Sequence, residues 1–302
     1  MLVVAALGGN ALLMRGQPLT AEAQRKNVQI AAQSLAAVVR AGHSLVVTHG
    51  NGPQVGLLAL QGAAYSPDEA FPLDVLGAQT EGMIGYIIEQ ELENALEHDR
   101  PVATLLTQVL VDLADPAFLK PDKFVGPVYT QAEAETRAAA AGWHIAADGP
   151  HWRRVVPSPR PVEIPDLRVL KLLLDRGVVV ICAGGGGIPV VRLEDGSLMG
   201  VEAVIDKDAS SALLAAQLGA DALLMLTDVE AVYQDFGTPA ARSLAHLSVA
   251  QARQLVMPAG SMGPKVKAAC DFAQSGGVSA IGRLQDALAM LEETAGTRIT
   301  LD

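Results

Sequence analysis

The chain has 302 residues, of which 50% are hydrophobic, 4% aromatic and 18% charged. This composition suits a well-packed globular protein with a large aliphatic core and excludes a disordered chain. Its 22 Lys and Arg residues against 33 Asp and Glu residues give a net charge of −11 at pH 7, which would repel a polyanion, so we expect no nucleic-acid partner.

We expect neither secretion nor membrane insertion of this chain. The first ten residues, MLVVAALGGN, lack the basic segment and cleavage site of a signal peptide. The longest uncharged run, GVVVICAGGGGIPVV, is shorter than the roughly 20 residues of a membrane-spanning helix. Cys182 and Cys270 lie far apart in apolar surroundings, which favours a reducing compartment over a disulfide scaffold. We therefore expect a cytoplasmic protein without a membrane partner.

Apolar runs that end in glycine and are followed by helical periodicity recur along the chain. This alternation is typical of a parallel sheet covered by helices. The first strand is predicted over residues 3–7, and a helix follows over about 20–41, with Thr20 as its N-cap and Gly42 just past its end. Further unbroken aliphatic runs predict buried parallel strands at residues 44–48, 102–107, 178–182, 222–226 and 279–281.

Residues 115–165 interrupt this alternation. The segment contains eight of the 17 prolines, both tryptophans and several lysines and arginines. Such a composition favours an excursion from the main sheet over another strand–helix unit. We predict a small protruding subdomain or lid here.

Three predicted strands end in glycine-rich loops. In open α/β sheets ligands bind beyond the carboxyl ends of the strands, where glycine lets backbone N–H groups approach a phosphate and the next helix adds its positive end. A single loop of this kind is as well explained by a tight turn, but three in one chain favour a phosphate-binding site. The loops are LGGNAL at 7–12, HGNGPQVG at 49–56 and AGGGGIP at 183–189.

These loops match no common nucleotide motif. Gly50, Gly52 and Gly56 give G-x-G-x-x-x-G after the second strand, which misses the dinucleotide fingerprint by one residue. The third loop continues into Ile188 and Pro189, where a P-loop requires lysine. No histidine or cysteine pair has zinc-ligand spacing and no G-x-S-x-G elbow is present, so neither a protein-held metal nor a serine hydrolase is expected.

Two lysine motifs in the second half are candidates for the cation that a phosphate needs. In VIDKDAS, Lys207 lies between Asp206 and Asp208 at the start of a helical pattern, which predicts either an oriented ammonium group or an ordinary solvated turn. In AGSMGPKVK, Pro264 suits the first helical position.

That position for Pro264 would place Lys265 and Lys267 in the first turn, where the helix dipole disfavours each cation by roughly 0.3–1 kcal/mol. We expect an anion to offset this cost at Lys265, and we expect Lys267 to be exposed. Among the histidines only His49 adjoins a glycine loop, and a local hydrogen-bonding role is expected for it.

An ordered set of segments resembles the carbamate kinases, within the amino acid kinase family. The similarity runs from about residue 3 to near the C-terminus. It is carried by ALGGNAL, VTHGNGPQVG, PLDVLGAQTEGMIGY, VVPSP, AGGGGIPVV, GVEAVIDKDAS, LTDVEAVY and AGSMGPKV.

The resemblance implies a three-layer α/β/α sandwich with a mostly parallel central sheet. It implies one amino acid kinase domain over 1–302, with an N-terminal lobe for carbamate over 1–195, a protruding subdomain at about 115–165 and a C-terminal nucleotide lobe over 196–302. The implied reaction is reversible phosphoryl transfer between ATP and carbamate, running towards ATP in arginine or purine catabolism. Mg²⁺ would accompany the nucleotide, and a homodimer is typical of relatives.

The resemblance also assigns residue roles. Lys207 would neutralise charge in the transition state, and Asp206 or Asp208 would orient that lysine or the metal. Backbone amides would bind the phosphoryl and carbamoyl groups at Gly8, Gly9, Asn10, Gly50, Asn51 and Gly52. The nucleotide would contact Thr227, Asp228, Tyr233, Met262 and Lys265.

One cation of the wider family is missing from this sequence. Many amino acid kinases carry K-x-G-G in the first loop, where this chain has ALGGN. In carbamate kinases a lysine of the protruding subdomain is thought to replace it. The matching stretch here is LKPDKFVGPVY, in which Lys123 is the preferred candidate and Lys120 the second. Phe124 stands where relatives often carry proline.

Three other functions share some of these sequence features. The same fold could phosphorylate another small acid or a carbamoylated amine, because DVLGAQTEGMIGY is expected to line the acid site without defining its substituent. A sensor that binds nucleotide or carbamoyl phosphate without turnover is disfavoured by the intact lysines and glycine loops. A dinucleotide oxidoreductase is disfavoured by its missing fingerprint.

Overall fold

The computed structural model describes residues 1–13, 16–66, 71–257 and 262–302, with the side chain of Asn10 left out. The helices in these ranges are α1 (Ala21–Arg40), α2 (Gly52–Tyr65), α3 (Leu73–Ala95), α4 (Gln131–Ala141), α5 (Leu167–Leu174), α6 (Lys207–Leu218), α7 (Val249–Gln254), α8 (Met262–Ala273) and α9 (Ala287–Leu291). The strands are β1 (Leu2–Leu7), β2 (Ser44–His49), β3 (Val102–Thr104), β4 (Gln108–Val111), β5 (Lys123–Tyr129), β6 (His144–Asp148), β7 (His151–Val156), β8 (Pro161–Glu163), β9 (Val179–Ile181), β10 (Ile188–Arg192), β11 (Leu198–Gly200), β12 (Ala222–Thr227), β13 (Val232–Gln234), β14 (Arg242–Leu244), β15 (His246–Ser248), β16 (Val278–Arg283) and β17 (Thr297–Thr300).

The core is an eight-stranded sheet in the order β15-β17-β16-β12-β1-β2-β9-β3. All neighbours pair in parallel except β16 and β17. Alternate residues of β1 enter two different hydrophobic clusters: Val4 packs with residues of α6 and α8, whereas Val3 packs with residues of α1 and α3. Because successive side chains of a strand point to opposite faces, helices cover both faces of the sheet. The predicted three-layer α/β/α fold is confirmed.

The predicted strands occur within a few residues of their expected bounds, and the first long helix begins where its cap was predicted. The Thr20 hydroxyl accepts a hydrogen bond from the Ala23 N–H at 3.2 Å, which satisfies one unpaired donor of the first turn of α1. Strand β9 ends at Ile181, earlier than predicted, and Ala183 just beyond it has φ of +50°, which turns the chain out of the sheet.

The excursion at 115–165 contributes to two smaller sheets. Strands β5, β7 and β6 form an antiparallel sheet with α4 between β5 and β6, whereas β8 pairs with β4 in the sheet β11-β10-β4-β8. The first of these sheets rests on α2. Among the described helices, none combines the length and the apolar character needed to cross a membrane.

Candidate active site

The first two glycine loops lie side by side at the carboxyl edge of the central sheet. The parallel register pairs Leu7 of β1 with His49 of β2 on one side and with Leu226 of β12 on the other. The chain therefore leaves these neighbouring strands at adjacent points, and the Gly8 N–H donates to the Leu226 carbonyl at 2.9 Å. This edge is where α/β proteins bind ligands.

The second loop presents the free end of a helix. Asn51 is the N-cap of α2, and its side-chain amide donates to the Thr80 hydroxyl at 2.8 Å instead of capping the helix. The first N–H groups of a helix have no intrahelical acceptor, and no described residue accepts from the backbone N–H of Asn51 or Gly52. Together with the helix dipole, these donors favour a bound anion.

A buried cluster of three charges lies beside this loop. The Asp208 carboxylate accepts from Lys207 Nζ at 2.7 Å and from Lys265 Nζ at 3.0 Å. All three side chains are at most 12% exposed. A β-carbon placed on Gly50 would lie 3.9 Å from Lys207 Cδ, so the lysine stem passes the second glycine loop. The cluster carries one net positive charge next to the free helix end.

Burial and pairing oppose each other in this cluster. Desolvation alone would raise the pKa of Asp208, but the charges of Lys207 and Lys265 outweigh it and hold that pKa at about 2. Desolvation also lowers the pKa of Lys207, against the attraction of Asp208. The carboxylate is therefore ionised at neutral pH and orients both ammonium groups.

Asp206 joins β5 of the small β5-β7-β6 sheet to the same edge. It is the N-cap of α6, where one oxygen accepts from the backbone N–H groups of Asp208 at 3.0 Å and Ala209 at 3.2 Å. Its other oxygen pairs with Lys123 Nζ of β5 at 2.6 Å. Desolvation would raise the pKa of Asp206, yet the charge and hydrogen bond of Lys123 and the Ala209 N–H together outweigh it, and the pKa is lowered. The motif Asp-Lys-Asp thus caps a helix, supplies a cation and holds two others.

The model of the amino acid kinase family matches residues 1–281. The chain belongs to the amino acid kinase family. It is 56% identical over 303 residues to a carbamate kinase of Rhizobium meliloti (strain 1021), covering 99% of this chain and 93% of that protein. It is 54% identical to the carbamate kinase of Haemophilus influenzae, covering 99% and 97%. Carbamate kinase from Giardia lamblia bound to citric acid superposes with a TM-score of 0.93 at 43% identity, covering 100% of this chain and 98% of that one.

The structure brings most of the residues predicted from the family resemblance to one edge. Lys207, Asp208 and Lys265 are in contact, and Lys123 contacts Asp206 next to them. Gly8, Gly9, Gly50, Asn51 and Gly52 lie in the adjacent loops, together with the backbone of Asn10.

The other predicted nucleotide residues lie around the ends of β12, β13 and α8. Thr227 ends β12 and its hydroxyl donates to Asp228 at 3.1 Å. Tyr233 packs against Phe236, with ring centroids 5.9 Å apart, and Met262 packs on the core. Among the described residues, no hydrogen bond or ion pair joins Tyr233 or Met262 to the charge cluster.

The predicted start of the second lysine helix is wrong. Helix α8 already includes Met262, so Pro264 is its third described residue and not its first. The positive charge of Lys265 is balanced by the Asp208 carboxylate of α6, a partner that the local sequence does not show. Lys267 is exposed and pairs with Asp271 at 3.1 Å, one turn further along the same helix.

Glu81 lies in the segment that was expected to line the acid site, but the sequence did not single it out. It lies on α3 at 1% exposure, and its carboxyl oxygens accept from the backbone N–H groups of Gly184 at 2.7 Å and Thr107 at 3.1 Å. It therefore anchors the third glycine loop. The available signal was a carboxylate in TEGMIGYII on the same helical face as the apolar Ile84 and Ile88.

Glu81 should make stability depend on pH. Desolvation raises its pKa from the ordinary 4.5 to about 8, so the folded state keeps a proton that the unfolded state releases. Stability should therefore fall as pH rises from about 4.5 to about 8, by up to about 1.4 kcal/mol per pH unit. The free energy of unfolding, measured with urea at several pH values, should depend less steeply on pH in Glu81→Gln than in the wild type. Glu89→Gln on the same helix should keep the wild-type pH dependence. Equal slopes for all three proteins would contradict this assignment.

Proposed function

We propose that this protein is a carbamate kinase, which transfers a phosphoryl group reversibly between ATP and carbamate and gives ADP and carbamoyl phosphate. The observation that carries the proposal is the buried Lys207–Asp208–Lys265 cluster beside the free helix end at Asn51. The high identity to two carbamate kinases over nearly the whole chain supports the same activity.

The reaction needs alignment and charge neutralisation more than covalent chemistry. In the direction of ATP synthesis, a β-phosphate oxygen of ADP attacks the phosphorus of carbamoyl phosphate. The bond from phosphorus to the bridging oxygen breaks, and its electron pair leaves with carbamate. Because the transition state spreads negative charge over the transferred group, preorganised N–H donors and ammonium groups lower the barrier.

The donors for that charge come from separate segments of the fold. In this proposal the backbone amides of the Gly8 and Gly50 loops hold the phosphoryl and carbamoyl groups, and Lys207 neutralises the developing charge. Asp208 orients Lys207, and Asp206 orients Lys123. Lys123 replaces the cation that K-x-G-G supplies in the wider family, since it reaches this edge from β5.

The nucleotide is proposed to bind on the 196–302 lobe at Thr227, Asp228, Tyr233, Met262 and Lys265, opposite a 1–195 lobe for the small acid. A Giardia lamblia carbamate kinase bound to AMP-PNP, with a TM-score of 0.91 to this chain, supports a nucleotide site in this fold. The Asp206 and Asp208 carboxylates are both engaged by lysines. Mg²⁺ is therefore expected to arrive on the phosphates of the nucleotide, as part of that substrate.

We further propose a cytoplasmic homodimer. Cys182 and Cys270 are buried free thiols, which suits the cytoplasm.

Exposed Met83 and Tyr86 on α3, near the edge strand β3, offer an apolar surface for a homodimer. Sedimentation equilibrium of the wild type and of Tyr86→Asp would test the dimer. If this surface forms the interface, the variant should have a smaller mass than the wild type. A role in arginine or purine catabolism follows from the proposed reaction alone.

A coupled assay of ATP formation tests the activity directly. ADP with Mg²⁺ and carbamoyl phosphate should give ATP, and acetyl phosphate should be a poorer donor. Turnover with another acyl phosphate only would favour a paralogue that acts on a different small acid. Binding of ADP without turnover of any donor would favour the sensor.

Gly56→Ala should lower turnover by displacing the subdomain that carries Lys123. A β-carbon on Gly56 of α2 would lie 2.1 Å from the Cα of Gly126 on β5, so the two backbones must separate. A displacement of about 1 Å would move the Lys123 ammonium group and weaken its stabilisation of the transition state. We therefore expect kcat to fall at least about tenfold.

The matched control for Gly56→Ala is Gly82→Ala on α3. There a β-carbon would lie 3.9 Å from the Leu106 side chain, an ordinary contact, so activity should be retained. Full activity of Gly56→Ala would show that close seating of the subdomain is unnecessary.

A further inference from the structure

His49 is a fully buried histidine whose ring is hydrogen-bonded to the loop that follows it. It is the last residue of β2 and is 0% exposed. Its Nδ1 lies 3.1 Å from the carbonyl oxygen of Gly50. Because a carbonyl oxygen can only accept, Nδ1 carries the proton and donates it.

The ring is neutral under physiological conditions. Desolvation lowers the pKa of His49 to about 4, and the nearby Lys207 charge acts in the same direction. With the single proton on Nδ1, Nε2 is an acceptor, and no described residue donates to it. A buried polar atom without a partner is costly, so packing efficiency alone does not account for a histidine here.

The hydrogen bond to Gly50 determines the direction of the next N–H group. In a trans peptide the C=O and N–H groups point to opposite sides. While His49 holds the Gly50 carbonyl, the Asn51 N–H points away from the ring, and it is one of the free donors at the start of α2. Reversal of this peptide would direct a carbonyl oxygen, with its partial negative charge, to the side that receives the anion.

The third glycine loop holds the ring in place. A β-carbon on Gly184 would lie 2.4 Å from Cε1 and Nε2 of His49 and 2.9 Å from Cγ of Glu81. The Gly184 N–H is also bonded to Glu81. Only glycine at this position leaves room for the imidazole, which is thus clamped between the sheet and this loop.

We propose that His49 is a positioning residue that locks the Gly50–Asn51 peptide with its N–H directed at the transferred phosphoryl group. This inference rests on the proposed function and deepens it. His49 acts through the backbone of Gly50, since its own ring is inaccessible to substrate.

Two amide variants separate this role from general packing. The side-chain nitrogen of asparagine can take the place of Nδ1, whereas the glutamine amide extends to the place of Nε2. His49→Asn should therefore keep the donor to Gly50, and His49→Gln should lose it. We expect His49→Gln to bind inorganic phosphate at least about tenfold more weakly than His49→Asn, by calorimetric titration, with a matching rise in KM for carbamoyl phosphate. Equal phosphate affinities of the two variants would overturn the proposal.

Gly184→Ala gives an independent reading without altering His49. It should displace the ring and reproduce the loss of phosphate affinity, and it decides the matter if a His49 variant does not fold. Unchanged phosphate affinity in folded Gly184→Ala would overturn the proposal. A wild type that binds phosphate but does not turn over carbamoyl phosphate would refute the proposed reaction, while the comparison of phosphate affinities would still test His49.

Discussion

Lys207→Ala is expected to lower kcat for ATP formation from ADP and carbamoyl phosphate by at least about 10²-fold, the usual cost of removing one preorganised charge-stabilising group. Its side-chain stem passes the second glycine loop, and its ammonium group is oriented by Asp208. The melting temperature should change little, because Asp208 keeps a buried partner in Lys265.

The matched control is Lys267→Ala on α8. Lys267 is 57% exposed and pairs only on the surface with Asp271, so its removal should leave both activity and stability near the wild type. Both variants should be assayed at saturating ADP and followed by thermal melts. A Lys207→Ala enzyme with wild-type kcat would exclude this lysine from the reaction.

Lys123→Ala is the second variant for which a large loss is expected, again about 10²-fold in kcat. The first glycine loop lacks its own lysine, and Lys123 is brought to the same edge through its 2.6 Å contact with Asp206. Its side chain is 31% exposed, so the ion pair itself should contribute little to stability. Activity should therefore fall without a comparable fall in melting temperature.

Lys120→Ala is the natural comparison for Lys123→Ala. Lys120 lies three residues earlier in the same segment and is exposed, so its variant should behave as the wild type. If Lys123→Ala retains full turnover, the subdomain has a structural role and the missing cation must come from elsewhere. If both lysine variants lose activity equally, the general charge of the segment matters and not the contact with Asp206.

The features that could be predicted from the sequence are those with a local physical cause. The strands of the central sheet read as unbroken aliphatic runs because they are buried on both faces, and the Thr20 cap is signalled by one hydroxyl ahead of a helical pattern. The glycine loops were recognisable because each directly follows such a strand. Their common edge then follows from the parallel direction of β1, β2 and β9.

The Asp-Lys-Asp motif was visible in the sequence, but its pairing with Lys265 and Lys123 had no local signal. Lys265 and Asp208 are 57 residues apart, and Lys123 and Asp206 are 83 residues apart. The direction of the Gly50–Asn51 peptide likewise depends on a ring clamped by Gly184, more than 130 residues further along the chain. The hydrophobic periodicity of the sequence indicates which face of a helix or strand is buried and where that element ends. The strands, caps and loops could therefore be predicted from the sequence. Partners across the site depend on how the crossovers and the subdomain pack. Burial then sets the protonation of His49 and Glu81, and the two lysines keep Asp208 ionised. These contacts and this burial exist only in the folded molecule.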